Sequence, residues 1–356
     1  MTEASPEFRP IEWLAGGKVR FLDQTLLPMN EVWVETDDYH AVAEAIQRLQ
    51  VRGAPLIGVS AAYGLALAVQ SVDQAGAPAM LDRLREAADE LRSTRPTAIN
   101  LAWALDRILG KVDGMKDADQ IREAVTSEAL RIHDEDVNGN LKMAEHGAPL
   151  LAGAGTALTH CNAGALATGG YGTALGVLRK AWEHGTLTRV YSTETRPLQQ
   201  GSRLTVWELQ KTGVPVTLIA DTAVGSVMSR GMVNAVVVGA DRIVANGDVA
   251  NKIGTYQLAV LANEHDIPFF VAAPTSTIDL GIASGDGIPI EERSTDEVTS
   301  VRGIATAPVA TEAVNPAFDV TPARYLAAII TERGVARAPY RESLVALSRD
   351  KVETRG

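Results

Sequence analysis

The chain has 356 residues, of which 46% are hydrophobic and 22% are charged, a composition typical of a globular protein and not of a disordered or fibrous one. The formal net charge is −11 and no block of Lys and Arg residues stands out, which argues against a protein that binds nucleic acid. The single cysteine excludes an internal disulfide framework and fits the reducing cytosol.

No stretch of the sequence has the roughly 18 consecutive apolar residues that a membrane span requires. Residues 1–10 are too acidic and polar for a signal peptide. The six histidines are scattered and lack the spacing of a zinc site. We therefore predict a cytoplasmic protein with no membrane partner, no nucleic-acid partner and no metal.

The first part of the chain has mainly helical periodicity. Residues 23–34 read as a short β segment with a turn at Pro28, and Asp38 and Thr97 stand where they would cap helices. We predict that residues 1–147 form a mainly helical N-terminal domain with a short β segment. The predicted helices cover residues 38–49, 56–69, 81–91, 97–109 and 119–145.

After residue 155 short apolar runs alternate with helix-like stretches, which predicts a doubly wound parallel sheet. We therefore predict an α/β fold in which residues 148–356 form a Rossmann-like catalytic domain, with a hinge near residues 147–155. Residues 275–315 read as irregular. The predicted strands are residues 157–159, 189–192, 216–219, 235–238 and 269–272, and the predicted helices are residues 172–183, 204–211, 224–232 and 252–264.

Polar residues follow four of these apolar runs at the point where each run stops. In open parallel sheets, ligands bind beyond the carboxyl ends of the strands. The sequence therefore predicts a functional site at this edge of the sheet. The polar residues are His160, Cys161 and Asn162 after the first run, residues 193–196 and Gln200 after the second, Asp221 and Thr222 after the third, and Asp241 and Arg242 after the fourth.

Cys161 and Asp241 are the candidate reactive groups. A lone cysteine is often an inert buried thiol. Gly164, Gly169, Gly170 and Gly172 follow Cys161, however, and the backbone amides that they bring close favour a functional role for this cysteine. His160 is its neighbour, but successive strand residues face opposite sides, so we do not expect a Cys–His dyad. Asp241 follows a wholly apolar strand, and loss of solvent favours the neutral carboxyl group of a proton donor. The alternative for Asp241 is a pair with Arg242 or a cap on the next turn.

Three segments suit an anionic ligand. Arg52 and Gly53 precede a helix that has Pro55 in its first turn, and Arg95 stands before Pro96 in a similar arrangement. Residues 251–252, an Asn-Lys pair, are expected to open another helix. Each segment alone is more often a simple cap or a solvated charge, but together they suit a phosphate and sugar hydroxyls.

Nucleotide-binding glycine motifs are missing from the sequence. No Walker A sequence occurs, and the glycines at 164–176 lack the GxGxxG spacing. Glu194 nevertheless sits where a ribose-binding acid is expected, so a dinucleotide-dependent oxidoreductase is kept as a weak alternative.

Taken together, the motifs resemble those of the methylthioribose-1-phosphate isomerases, a family of the wider initiation-factor-2B-like superfamily. The matching words extend from residue 22 to about residue 335. They are residues 22–28, 51–55, 94–97, 159–162, 194–197, 200–201, 239–242, 251–254, 273–274, 288–293 and 315–319.

The resemblance implies a homodimer and an aldose–ketose isomerase that converts 5-methylthioribose 1-phosphate into 5-methylthioribulose 1-phosphate in methionine salvage. It implies that Cys161 and Asp241 are the catalytic pair. For this reaction we expect no metal or organic cofactor. The residues implied to bind the phosphorylated sugar are Arg52, Gly53, Ala54, Arg95, Gln200, Asn251 and Lys252.

Two alternatives lie within the same superfamily. One is a sister isomerase that acts on 5-deoxyribose 1-phosphate or ribose 1,5-bisphosphate with the same catalytic pair. The other is a non-catalytic regulatory subunit, which has no need of Cys161 and Asp241 together.

Overall fold

The computed structural model describes residues 8–72 and 76–348, and these residues separate into two units. The first unit contains the described residues up to Asn140 together with Ala163–Gly172, and the second contains Leu141–Asn162 and the described residues from Thr173 onward. The domain boundary expected at residue 147 stays a prediction. Within the described residues, no helix combines the length and the apolar character that crossing a membrane requires.

The first unit is built from an antiparallel sheet and a set of helices. The sheet has the order β1-β2-β3. The last residues of α5, from Leu141, group with the second unit. The elements are β1 (Ile11–Leu14), β2 (Lys18–Leu22), β3 (Trp33–Thr36), α1 (Tyr39–Gln47), α2 (Ala54–Gln70), α3 (Ala77–Thr94), α4 (Ile99–Val112) and α5 (Ala118–Gly147).

Local sequence explains where two of these helices begin. The Asp38 side chain accepts a hydrogen bond from the His40 backbone N–H at 2.9 Å, so the predicted cap of α1 is confirmed. Helix α2 is buried along nearly its whole length and has Pro55 in its first turn, as predicted. Its residues therefore form the centre of the helical core.

One local prediction for this unit is wrong, and another is right only in part. Helix α4 begins at Ile99, so the capping position falls on Ala98, which has no side-chain oxygen, and Thr97 lies one residue too early. Of the β segment expected at residues 23–34, only Trp33 and Val34 lie in a strand, at the start of β3. Residues 23–32 connect β2 to β3, with a turn at Pro28 as predicted. The Asp23 carboxylate accepts the Thr25 backbone N–H at 2.9 Å at the start of this connection.

The second unit alternates strands and helices. Its strands are β4 (Gly155–Thr159), β5 (Leu187–Thr193), β6 (Val216–Ile219), β7 (Ala235–Val238), β8 (Arg242–Val244), β9 (Val249–Lys252), β10 (Phe269–Ala272), β11 (Ile278–Asp279), β12 (Ser300–Val301), β13 (Ile304–Ala305), β14 (Phe318–Thr321), β15 (Ala328–Thr331) and β16 (Gly334–Ala336). Its helices are α6 (Ala174–Glu183), α7 (Val206–Lys211), α8 (Val224–Ser229), α9 (Thr255–Glu264), α10 (Asp296–Thr299) and α11 (Tyr340–Ser348).

The main sheet of this unit has the order β16-β15-β10-β7-β4-β5-β6. All neighbours pair in parallel except β16, which is antiparallel to β15. The chain runs outward from β4 through β5 to β6, and then outward on the other side from β7 through β10 to β15. This is the Rossmann strand order, and its direction reverses between β4 and β7. The predicted fold class, a helical N-terminal region followed by a Rossmann-like doubly wound sheet, is confirmed.

A smaller sheet with the order β11-β8-β9-β14 overturns one prediction. Asn251 and Lys252 were expected to open a helix, but they lie on strand β9, where Asn251 pairs with Asp319 of β14. Helix α9 begins three residues after Lys252, because Gly254 turns the chain with a φ of +101°. The partner strand is far away in sequence, so local pattern does not reveal this pairing.

Candidate active site

Cys161 and Asp241 lie beside the point where the strand order reverses. Cys161 follows the last residue of β4 by two positions, and Asp241 follows the last residue of β7 by three. The two strands are adjacent and parallel, with Leu158 opposite Val236. Both side chains therefore belong to the edge at which open α/β sheets bind ligands. Both are half-buried and not fully enclosed.

The backbone at this edge is strained. Cys161, Thr195 and Gln199 have φ values of +61°, +64° and +57°, in the left-handed region that non-glycine residues seldom adopt. Such residues cluster at functional sites, where the surrounding structure holds them against their own preference. The three positive φ values therefore support a functional role for the ends of β4 and β5.

Asp221, which follows β6, holds the loop after β5. Its two carboxylate oxygens accept the backbone N–H groups of Thr195 at 2.8 Å and of Arg196 at 2.7 Å. The sequence placed Asp221 at the functional edge, and the structure shows what it does there. It fixes the backbone of the neighbouring strand end.

His160 is buried and both of its ring nitrogens have partners in this unit. Nε2 lies 2.8 Å from the carbonyl oxygen of Ile253, and Nδ1 lies 2.6 Å from Oγ1 of Thr193. Burial lowers the pKa of the His160 imidazole, so the neutral ring is favoured. The contacts agree with the expectation that His160 does not form a dyad with Cys161.

Asp241 is held through its backbone. Its N–H donates to the carbonyl oxygen of Ala250 at 2.9 Å, which ties the end of β7 to strand β9. The neighbouring Arg242 donates to Oδ2 of Asp279 at 3.1 Å. The Arg242 guanidinium therefore has an acidic partner of its own.

Gln200 follows β5 and is 6% exposed. Its side-chain Oε1 is buried and has no hydrogen-bond partner among the residues that the structure describes. A buried acceptor in this state is available to a donor on a ligand. This supports the expected binding role of Gln200.

Asn251 and Lys252 are held by contacts within the second unit. The Lys252 ammonium group donates to the carbonyl oxygen of Ala317 at 3.0 Å and lies 4.6 Å from the centre of the Phe318 ring. The buried Asn251 amide donates to Oγ1 of Thr255 at 3.0 Å. The structure thus places a cation and an amide on β9, next to the start of α9.

Asp319 fixes the turn that follows Lys252. Its carboxylate accepts the backbone N–H groups of Gly254 at 2.7 Å and of Tyr256 at 3.0 Å, so it caps α9 from a distant part of the chain. Burial raises the pKa of Asp319 to about 6, although the two N–H donors and the Lys252 charge oppose this shift.

We expect the Asp319 carboxyl group to make stability fall between about pH 4 and pH 6. The pKa of Asp319 is higher in the folded protein than in the unfolded chain, so the folded form binds more protons in this window, and the free energy of unfolding decreases as pH rises. Relative to Asp319→Asn, the wild type should lose on the order of 2 kcal/mol across the window. Urea unfolding at several pH values measures this difference.

The exposed Asp286 provides the matched control. Asp286→Asn should unfold with the same pH dependence as the wild type. If the curve of Asp319→Asn also runs parallel to that of the wild type, the buried carboxyl group does not titrate as described.

The remaining predicted binding residues belong to the first unit. Gly53 precedes α2 with a φ of +107°, and a Cβ atom there would lie 2.6 Å from Cα of Ala167, so this position needs glycine. Ala54 is the first residue of α2, and the Arg52 side chain is buried. Arg95 directly follows α3 and stands four positions before α4 begins, whereas Arg52 stands two positions before α2. Arg95 therefore does not repeat the arrangement of Arg52.

Sequence reasoning missed the roles of Thr205 and Asp319. The hydroxyl group of Thr205 donates to the carbonyl oxygen of Cys161 at 2.5 Å. Thr205 lies inside a helix-like stretch without any polar pattern that marks it. Asp319 does end a motif of the family resemblance at residues 315–319, so a signal for it was present.

No group of three or more His, Cys, Asp or Glu side chains suited to a metal ion occurs in residues 8–72 and 76–348. The side chains at the carboxyl edge of the sheet include a thiol, a carboxyl group, amides and a cation.

These features define a Rossmann-like α/β protein with a thiol and a carboxyl group at the switch point of its sheet. Residues 50–338 match the sequence profile of the initiation factor 2 subunit family, and the chain belongs to that family. The resemblance inferred from the sequence motifs is confirmed.

Relatives match nearly the whole chain. Methylthioribose-1-phosphate isomerase from Pelotomaculum thermopropionicum is 54% identical over 336 residues, which are 94% of this chain and 92% of that protein. The crystal structure of 5-methylthioribose 1-phosphate isomerase from Pyrococcus horikoshii OT3 has a TM-score of 0.90 and 47% identity, with 96% of each chain covered. The structure of translation initiation factor eIF-2B, subunit delta, from A. fulgidus has a TM-score of 0.85 and 44% identity, covering 96% of this chain and 99% of that one.

Proposed function

We propose that this protein is an aldose–ketose isomerase that converts 5-methylthioribose 1-phosphate into 5-methylthioribulose 1-phosphate, a step of methionine salvage. The pairing of β4 with β7 carries the proposal, because it brings the strand ends that bear Cys161 and Asp241 to the switch point of the sheet. The substrate is inferred from relatives at 54% and 47% identity that bear the corresponding name.

The chemistry requires an acid and a group that handles hydrogen at C2. The phosphate on the anomeric carbon blocks spontaneous ring opening, so the ring oxygen must receive a proton as its bond to C1 breaks. We assign that proton to Asp241. Hydrogen then moves from C2 to C1, and the C2 hydroxyl group becomes a carbonyl group as its proton leaves.

Cys161 acts at C2 in either of two routes. In the first, Cys161 removes the C2 proton and C1 gains a proton from the site. In the second, hydride passes directly from C2 to C1 and Cys161 stabilises the developing charge. In D2O, the first route places deuterium at C1 of the product, whereas complete retention of the substrate hydrogen contradicts it.

The phosphate and the sugar hydroxyls are proposed to bind to cationic side chains, amides and helix-start N–H groups. Gln200 offers a buried amide oxygen to a hydroxyl donor, and Lys252 offers a positive charge. Arg52, Gly53, Ala54, Arg95 and Asn251 are assigned to the same ligand on the basis of the family motifs. No metal or organic cofactor is assigned a part.

A turnover assay tests the proposal directly. Purified protein should convert 5-methylthioribose 1-phosphate, with 5-deoxyribose 1-phosphate and ribose 1,5-bisphosphate as competing substrates, and EDTA should leave the rate unchanged. If the protein converts a competing sugar faster, the proposed chemistry stands, but the enzyme belongs to a pathway other than methionine salvage. No turnover of any of the three by folded protein would favour the non-catalytic regulatory subunit, and the A. fulgidus protein is named as a subunit of a translation initiation factor.

The same proposal includes a homodimer and a cytoplasmic location. The dimer is inferred from the family resemblance, and the location from a single cysteine that fits a reducing compartment. Sedimentation of the purified protein at micromolar concentration tests the dimer.

A further inference from the structure

The backbone of Cys161 is held from both sides by threonine hydroxyl groups. Its N–H donates to Oγ1 of Thr195 at 2.9 Å, and its carbonyl oxygen accepts from Oγ1 of Thr205 at 2.5 Å. Both threonines are fully buried. Cys161 is at the same time one of the left-handed residues of this edge. Hydrogen bonds from two buried threonines therefore act on a residue whose backbone conformation is unfavourable on its own.

The hydrogen bonds around this residue have a defined direction. A carbonyl oxygen only accepts, so His160 Nε2 must donate to Ile253, and the neutral ring then accepts at Nδ1 from the Thr193 hydroxyl. The Thr193 hydroxyl hydrogen is used in this way. In the 3.0 Å hydrogen bond between the two threonine hydroxyls, Thr195 is therefore the donor and Thr193 the acceptor. The Thr195 oxygen is left to accept from Cys161.

Thr205 reaches Cys161 from an unusual segment. Gly201–Thr205 is a π-helix, in which the Val206 N–H bonds to the carbonyl oxygen of Gly201. A Cβ atom at Gly201 would overlap the carbonyl oxygen of Thr193, so the segment packs directly on the end of β5. This close packing fixes the start of the segment that carries the Thr205 hydroxyl.

We propose that Thr195 and Thr205 are positioning residues that hold Cys161 in its left-handed conformation and thereby aim the thiol for the reaction. Hydrogen bonds through Thr193 and His160 connect Thr195 to Ile253, the residue after Lys252. The inference rests on the proposed role of Cys161 in the isomerase, and it adds two residues that do not touch the reacting atoms themselves.

Replacement of Thr205 by Val keeps the shape of the side chain and removes its hydroxyl group. Thr205→Val should lower kcat about 10- to 100-fold, the effect of misaligning a catalytic group by roughly 1 Å, and should change KM less than about threefold. Thr205→Ser, which keeps the hydroxyl group, should recover kcat to within about threefold of the wild type.

A second measurement does not depend on the substrate. Cys161 is the only cysteine, so the rate of iodoacetamide alkylation across pH reports on this thiol alone. Thr205→Val should change that rate at least about threefold at some pH, and Thr205→Ser should follow the wild-type profile. If the proposed activity is wrong and no variant turns over, this profile still decides whether Thr205 controls the thiol.

Thr186→Val is the matched control. Its hydroxyl group also donates to a backbone carbonyl, that of Ala181 at 2.9 Å, but it lies before β5, at the opposite edge of the sheet. It should behave as the wild type in both measurements.

Should Thr205→Val fail to fold, Thr195→Ala and Thr195→Ser are compared by the same criteria. The proposal would be overturned if the Val or Ala variant had wild-type kcat and a wild-type alkylation profile. It would also be overturned if the Ser variant lost as much kcat as the variant without a hydroxyl group.

Discussion

Asp241→Asn should lower kcat at least about 100-fold, the contribution expected of a positioned general acid. The amide keeps the size of the carboxyl group but has no acidic proton to give to the ring oxygen. Because the backbone N–H of Asp241 is bonded to Ala250, the change should leave the end of β7 in place. Steady-state kinetics with 5-methylthioribose 1-phosphate, together with a melting curve, separate loss of chemistry from loss of fold.

The control for Asp241 is the same substitution at an exposed aspartate of this unit. Asp286→Asn should retain wild-type turnover, since the Asp286 side chain is exposed. If Asp241→Asn is folded and keeps more than about a tenth of the wild-type kcat, Asp241 is not the general acid.

Cys161→Ser should also reduce kcat at least about 100-fold. A serine hydroxyl is close in size to a thiol but is a much weaker acid, so it is rarely ionised. It therefore serves poorly as a base at C2 in the first route and as a group that stabilises the developing charge in the second. The hydrogen bonds to Thr195 and Thr205 use only backbone atoms of Cys161, so the substitution should leave the strand end intact.

Chemical modification gives an internal check on the Cys161 result. Iodoacetamide should inactivate the wild type completely, whereas the residual activity of Cys161→Ser should resist it, because the variant has no other thiol. Retention of activity by fully alkylated wild-type protein would show that the thiol is not required.

The sequence predicted the main sheet well because buried parallel strands are short apolar runs. All four residues of β7 and of β10 are buried, and both strands were found at their observed bounds. Strands β15 and β16 were not predicted. Strand β9 was taken for the start of a helix, because its pairing with β14 links residues far apart in the chain.

The candidate site was predictable in outline for a related reason. Strand ends can be read from the sequence, and the carboxyl ends of parallel strands share one edge, so Cys161 and Asp241 could be assigned to that edge. The supporting contacts could not be read in this way. Thr205 acts on a residue 44 positions away, and Asp319 caps a turn 65 positions away. Only the folded chain brings such partners together.

Because Gly201–Thr205 is a π-helix, the number of residues in this segment matters to the site as well as their identity. A π-helical turn has one residue more than the α-helical turn it replaces. Deleting a single residue there would let an ordinary helix form, in which the residues of the former π-helical turn, Thr205 among them, take new positions. Deletion of one codon would therefore disrupt the hydrogen bond from Thr205 to Cys161, with Cys161 and Asp241 themselves unchanged. In this fold, an alignment gap in that segment is as informative as a substitution at Cys161.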